Sequence, residues 1–207
     1  MISFLPYPIL VGHSVAATSF QLDASAAYCT VNAAKSIVLI GMMGAGKSSV
    51  GRSLQRQSGL ARLDTDEMLA AEFGMSIAEI FEKHGEEKFR DAESELLRKL
   101  APDRPAIIVT GGGIILRPQN VDLLKSVGTV VWLAADEAIL FERAARRDHR
   151  PLLQKENPRE VFSKLFRERE PLYAAAANIR IDTTRLDHDE VAETILNKME
   201  EFSSLRQ

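Results

Sequence analysis

Residues 36–49 read Ser-Ile-Val-Leu-Ile-Gly-Met-Met-Gly-Ala-Gly-Lys-Ser-Ser, an apolar run that passes directly into three glycines, a lysine and two serines. Ser36–Ile40 is almost wholly aliphatic, the pattern of a strand buried on both faces. Gly41, Gly44 and Gly46 strip side chains from the turn that follows, so the main chain can approach a ligand closely and take up angles other residues resist. Lys47 to Gln57 then reads as a helix. Gly41-x-x-x-x-Gly46-Lys47-Ser48 matches the Walker A pattern at every position. In such a loop main-chain N–H groups and the positive end of the helix dipole converge on phosphate oxygens, the lysine reaches the β and γ groups, and the serine hydroxyl can ligate Mg²⁺. A glycine-rich turn with an incidental Lys-Ser pair is the bland alternative, and the flanking strand and helix argue against it. The stretch implies binding of a nucleoside triphosphate.

The rest of the composition is compatible with such a protein. A chain of 207 residues forms one domain with an appendage at most, and is long enough to bury a full hydrophobic core. A formal net charge of -3 argues against a general nucleic-acid or membrane-surface binder, since those lean on a basic excess, and leaves room for local basic patches. With Cys29 as its one cysteine, the chain makes no internal disulfide and suits a reducing, cytoplasmic setting. His13, His84, His149 and His188 are scattered without partners at metal spacing and read as solvated or capping side chains. Residues 1–34 carry no charged residue before Asp23, yet Pro6 and Pro8 break the apolar stretch and no basic n-region precedes it, so a signal peptide is disfavoured. A disordered extension, or a start codon placed too early, is the expectation, with no function assigned.

From Lys35 onward strands alternate with helices. Further strands are expected at Ala61–Leu63, Ala106–Val109, Thr129–Leu133 and Asn178–Ile181. Helical patterns lie at Ile77–Lys83, Glu86–Leu100, Gln119–Ser126, Glu137–Arg147, Pro158–Glu168, Leu172–Ala177 and Asp189–Glu201, the first opened by a capping box, Ser76-Ile-Ala-Glu79. Five strands interleaved with helices predict an α/β fold with a parallel sheet covered on both faces. Ligands of open α/β sheets lie beyond the carboxyl ends of the strands. Four strands there run into unusual text: the glycine loop, Asp64-Thr-Asp66, Gly111-Gly-Gly113 and Asp182-Thr-Thr-Arg185.

Asp64 and Asp66, read as alternate residues of one strand, would present both carboxylates on the same face. One can hold the water shell of Mg²⁺ beside Ser48; the other can orient an attacking hydroxyl and take its proton. The competing reading makes Asp66 an N-cap for a helix at Glu67. Arg90, Arg150 and Arg169 carry guanidinium forks suited to carboxylate and phosphate, although any single arginine is more often a solvated helix residue.

Taken together, G-M-M-G-A-G-K-S, L-D-T-D, F-R-x-x-E, G-G-G, R-P-L-L and R-x-P-L-Y resemble shikimate kinase from about Lys35 to the C-terminus. The resemblance implies a P-loop NTPase fold of the nucleoside monophosphate kinase type, with sheet order 2-3-1-4-5, an acceptor-binding segment at about 66–94 and a mobile lid at about 144–157. It implies transfer of phosphate from ATP, with one Mg²⁺ per site, to the 3-hydroxyl of shikimate, by a cytoplasmic monomer that engages neither nucleic acid nor membrane. By the same resemblance Asp66 is the base and grips the hydroxyls, while Lys47 and Arg150 complete the catalytic set. Gly44, Ala45, Gly46, Lys47, Ser48 and Ser49 hold ATP phosphates, Arg150 reaches them from the lid, and Arg143 and Arg185 adjoin the adenine. Arg90, Gly112, Gly113, Arg169 and Glu93 bind or adjoin the substrate, walled by Phe81 and Phe89. Ser48 and Asp64 belong to the magnesium sphere.

A kinase for another small polyol, such as gluconate, would share the loop and fold, and gluconate also bears a carboxylate. A GTPase switch should show Asn-Lys-x-Asp; Asn197-Lys-Met-Glu is the nearest stretch and is wrong at its fourth place.

Overall fold

The computed structural model describes residues 35–100, 102–146 and 157–204. The expectations for residues 1–34, for Arg150 and for most of the lid fall outside the described residues. Among the described residues five strands form one sheet: β1 (Ser36–Ile40), β2 (Ala61–Asp64), β3 (Ala106–Val109), β4 (Gly128–Ala134) and β5 (Ile179–Asp182). Their order is β2-β3-β1-β4-β5, with every pairing parallel. The order expected from the family resemblance is therefore the one observed, and β1, with neighbours on both sides, is buried along its whole length. A central parallel strand has no solvent face, which is why its sequence shows no polar alternation.

Among the described residues the helices are α1 (Lys47–Ser58), α2 (Thr65–Phe73), α3 (Ile77–Lys99), α4 (Pro118–Val127), α5 (Glu137–Ala145), α6 (Pro158–Ala176) and α7 (His188–Ser204). Helices α1 and α7 pack on each other and against the sheet, α1 on β3 and α7 on β5, while α4 packs on β1 and β4 and α6 on β4; a single turn of 3-10 helix at Ile114–Leu116 leads into α4 and also packs against α6. Aliphatic residues of β1, β3 and β4 and the inner faces of these helices form the main core. A second, smaller cluster of Leu69, Ile80 and Phe89, with Phe73, Met75, Ile77 and Phe81 packed against it, holds α2 to α3. That satellite core gives the 66–94 segment its own internal support.

Two elements differ from the sequence expectation. The two helices expected on either side of Gly85 are present as the two halves of α3, separated by a kink at Gly85, which takes the non-helical angles φ 78° and ψ 168°; only a residue without a Cβ accommodates that angle cheaply. The capping box is present, Ser76 Oγ accepting from Glu79 N at 3.3 Å and Glu79 Oε2 accepting from Ser76 N at 2.8 Å. Helix α6 runs straight through Pro171, where a break had been expected. Proline removes one main-chain donor, but burial of Phe162, Arg169, Tyr173 and Ala176 along the helix holds both halves in line. Helix α2 is an element that strand alternation concealed.

Candidate functional site

The phosphate loop is built as its glycines require. Gly44 and Gly46 adopt φ 86° and 83°, and a Cβ on Gly44 would run into the carbonyl oxygen of Leu140 in α5, so this turn admits no larger residue. Ala45 N donates to Met42 O at 3.1 Å, and the first helical bond follows from Val50 N to Gly46 O at 2.8 Å. Lys47 Nζ donates back to the carbonyls of Gly41 and Met42 at 2.7 and 3.2 Å, which pins its ammonium at the mouth of the loop. Ser48 and Ser49 are half-buried in the first turn of α1, a turn with no acidic residue to neutralise the helix dipole.

The two aspartates are arranged differently from the strand-alternation reading. Strand β2 ends at Asp64 and α2 begins at Thr65, so Asp66 stands in the first turn of a helix. Asp64, not Asp66, is the N-cap: its Oδ1 accepts from Asp66 N at 3.2 Å, and its Oδ2 accepts from Arg62 Nη1 at 3.0 Å. Arg62 also donates to both oxygens of Glu67. A capping carboxylate that satisfies an orphan N–H converts strand into helix within one residue, and this swings Asp66 toward β3. There Asp66 Oδ1 and Glu93 Oε1 both lie beside Gly111; a Cβ on that glycine would be 2.7 Å from the first and 3.0 Å from the second. Gly111 N donates to Thr65 Oγ1 at 3.3 Å, tying the triple-glycine turn to the start of α2.

Helix α3 delivers Arg90 and Glu93 to the same place. Arg90 Nη1 donates to Glu93 Oε2 at 2.5 Å, and Arg90 Nη2 to Glu86 Oε1 at 3.0 Å. The rings of Phe81 and Phe89 stand 4.6 Å apart by centroid, and the Arg90 guanidinium lies 5.8 and 5.3 Å from them. Glu93 is fully buried, and that burial raises its carboxyl to about 7; the neighbouring charge of Asp66 pushes the same way, while the Arg90 guanidinium opposes. A Cβ on Gly113 would overlap the Arg90 guanidinium. From α6, Arg169 Nη1 reaches Gly112 O at 3.5 Å, and buried Arg169 Nε has no hydrogen-bond partner among the described residues.

The expected adenine-side residues also come together. Arg143 in α5 donates to Thr183 O at 3.0 Å and Thr184 O at 3.3 Å, in the loop that carries exposed Arg185. His188, for which the sequence suggested no role beyond capping or solvation, lies against the phosphate loop: a Cβ on Gly46 would be 3.3 Å from its Nε2. A cavity between α1 and the start of α7, lined by Ser49, Arg52, Ser53, Arg56 and residues 187–189, opens beside it. The histidine spacing carried no signal for this, because the contact joins the two ends of the domain.

A phosphate loop thus faces a carboxylate, two guanidinium groups and a bare glycine turn. A family model described as "SKI: Shikimate kinase" matches residues 43–200. The chain belongs to the shikimate kinase family. The shikimate kinase of Thermodesulfovibrio yellowstonii is 44% identical over 170 residues, covering 82% of this chain and 98% of that protein. That of Moorella thermoacetica is 46% identical over 159 residues, covering 77% and 91%. Among solved structures, the shikimate kinase from Acinetobacter baumannii in complex with shikimate superposes with a TM-score of 0.77 at 37% identity, covering 81% of this chain and 93% of that one. A gluconokinase from Sinorhizobium meliloti shares the fold alone, with a TM-score of 0.52 at 17% identity.

Proposed function

We propose that this chain transfers the γ-phosphoryl group of ATP to the 3-hydroxyl of shikimate, giving shikimate 3-phosphate on the route to chorismate and the aromatic amino acids. The observation that carries the reading is the meeting of two guanidinium groups and a carboxylate on three consecutive glycines: Asp66 beside Gly111, Arg169 at the carbonyl of Gly112, Arg90 against Gly113. Paired arginines suit an acceptor carboxylate, and an aspartate suits a hydroxyl that must lose a proton. Gly112 also backs onto Gly41 O and Met43 N of the phosphate loop, 3.5 and 3.6 Å from where its Cβ would stand, so donor and acceptor share one wall.

In this mechanism Asp66 accepts a hydrogen bond from the hydroxyl and takes its proton as the oxygen–phosphorus bond forms and the bond to ADP breaks. Main-chain N–H groups of residues 44–49 and the Lys47 ammonium offset charge that develops on the phosphoryl oxygens. Arg90 and Arg169 hold the acceptor carboxylate, Phe81 and Phe89 wall its ring, and Glu93 keeps Arg90 in place. Arg143 and Arg185 flank the adenine, and Arg150, which lies outside the described residues, is assigned to the lid and the transferred phosphate.

The residues beside the phosphate loop fit a Mg²⁺ ion. The Ser48 hydroxyl and the Asp64 carboxylate are hard oxygen donors of the kind Mg²⁺ prefers. Since both Asp64 oxygens already accept hydrogen bonds, Asp64 suits the ion's water shell and Ser48 direct contact. When bound, the ion supplies charge neutralisation at the β- and γ-phosphates. The reading further takes the enzyme as a cytoplasmic monomer; no described helix is long and apolar enough to cross a membrane.

A coupled assay of ADP release with shikimate and gluconate side by side tests the proposal. Release that depends on shikimate is expected. Turnover with gluconate alone, or slow hydrolysis that no acceptor stimulates, would overturn it.

A further inference from the structure

Tyr173 has no part in the chemistry above, yet it makes a short hydrogen bond inside the site. Its phenol donates to Gly112 O at 2.5 Å, and the same carbonyl receives Arg169 Nη1 at 3.5 Å. The two side chains are four residues apart on α6, hence on one helix face. The carbonyls on either side of Gly112 are used differently: Gly111 O accepts from Ile114 N at 3.3 Å and Gly113 O from Leu116 N at 3.1 Å, within the 3-10 turn. Gly112 O instead looks outward to α6, and of its two partners Tyr173 is much the nearer.

We propose that Tyr173 is a positioning residue for the acceptor, its phenol locking the Gly112–Gly113 peptide in the orientation that shikimate binding requires. The inference rests on the reading of this site as the shikimate site. A trans peptide is planar, so a fixed Gly112 carbonyl directs the Gly113 N–H the opposite way, away from α6. The two glycines have wide backbone freedom of their own, and an external anchor is what selects one orientation. Arg169 is the weaker anchor, at 3.5 Å from Gly112 O against 2.5 Å for the phenol, and an acceptor carboxylate draws on its guanidinium charge, whereas the phenol carries none. Burial raises the Tyr173 pKa, so it remains a donor throughout the working pH range. The ring is itself braced by Trp132, with centroids 6.1 Å apart and planes 22° from parallel.

Tyr173→Phe deletes the donor and keeps the ring on Trp132. Because Trp132 is the single tryptophan in the chain, its fluorescence reads shikimate binding directly, beside steady-state kinetics and thermal unfolding. Loss of one hydrogen bond predicts that Kd and KM for shikimate rise about tenfold, while kcat and the KM for ATP change less than about twofold, the signature of lost ground-state positioning. Unchanged shikimate affinity in Tyr173→Phe, with the parent enzyme active on shikimate, would overturn the proposal and leave the functional reading intact. An equal rise in both KM values together with a fall in Tm would overturn it in favour of a purely structural role. A parent protein inactive on shikimate would remove the functional reading and this inference with it.

Discussion

Asp66 and Glu93 meet over Gly111: one from the first turn of α2 and one from the middle of α3, they place carboxylate oxygens 2.7 and 3.0 Å from the Cβ that this glycine lacks. Gly111 is not in a left-handed conformation, so alanine there is opposed by the two carboxylates, which would have to move aside, and not by its backbone. Gly111→Ala is expected to lower kcat with shikimate by about a hundredfold, as misplacement of a reacting group does, at a stability cost of about 1–3 kcal/mol from overpacking. Initial rates and a urea titration on the same preparation check both numbers.

On the proposed roles, Lys47→Ala acts on the phosphoryl group and Asp66→Asn on the attacking hydroxyl, and each is expected to lose about a hundredfold or more in kcat. Arg169→Ala removes the guanidinium proposed to hold the acceptor carboxylate and is expected chiefly to raise the KM for shikimate. Equal, mild losses in all three variants, measured in one assay, would contradict these roles.

Asp64 caps α2, and the proposed reading adds a role in the magnesium sphere that substitution can separate from the cap. Asparagine caps helices as well as aspartate does but gives up the ion pair with Arg62, so Asp64→Asn should lower Tm less than Asp64→Ala while raising the Mg²⁺ concentration for half-maximal rate. Asp64→Ala should do the same to the Mg²⁺ requirement and in addition cost about 1 kcal/mol through the lost cap. Mg²⁺ titrations of activity, paired with thermal unfolding, distinguish the two effects.

Glu93 gives the fold a pH dependence of definite sign. Its carboxyl is raised from 4.5 to about 7 in the folded protein, mainly by burial. The folded state therefore binds a proton more tightly than the unfolded chain, and the stability this confers is fully present below about 4.5 and lost as pH rises through about 7. Glu93→Gln cannot ionise. The stability of the parent relative to Glu93→Gln should fall between pH 5 and pH 8 by up to about 3 kcal/mol, read from urea midpoints across that range.

Much of this architecture was legible in the order of residues. The glycine loop, the capping box at Ser76 and all five strands lie where apolar runs and turn residues put them, because each is decided within a few neighbouring residues. Family resemblance supplied the sheet order, which strand patterns alone do not contain. The aspartate pair was misread for a physical reason: a four-residue strand followed at once by a capped helix has no room for two alternate strand positions, and the cap on Asp64 is visible only when Asp66 N is seen to bond to it. The break expected at Pro171 failed similarly, since buried side chains on both sides outweigh one missing donor.

By itself the sequence determined that a phosphate-binding loop leads out of a buried parallel strand, since close main-chain approach and the helix dipole are local properties of Gly41 to Ser48. Only the tertiary structure decided which groups face that loop. Tyr173 and Gly112 are 61 residues apart, Arg90 reaches Gly113 from another helix, and Glu93 acquires its raised pKa only by being enclosed. Contacts of that kind depend on how the sheet orders its strands and how α3 and α6 fold back across them, and no local pattern of residues encodes the distance between two elements.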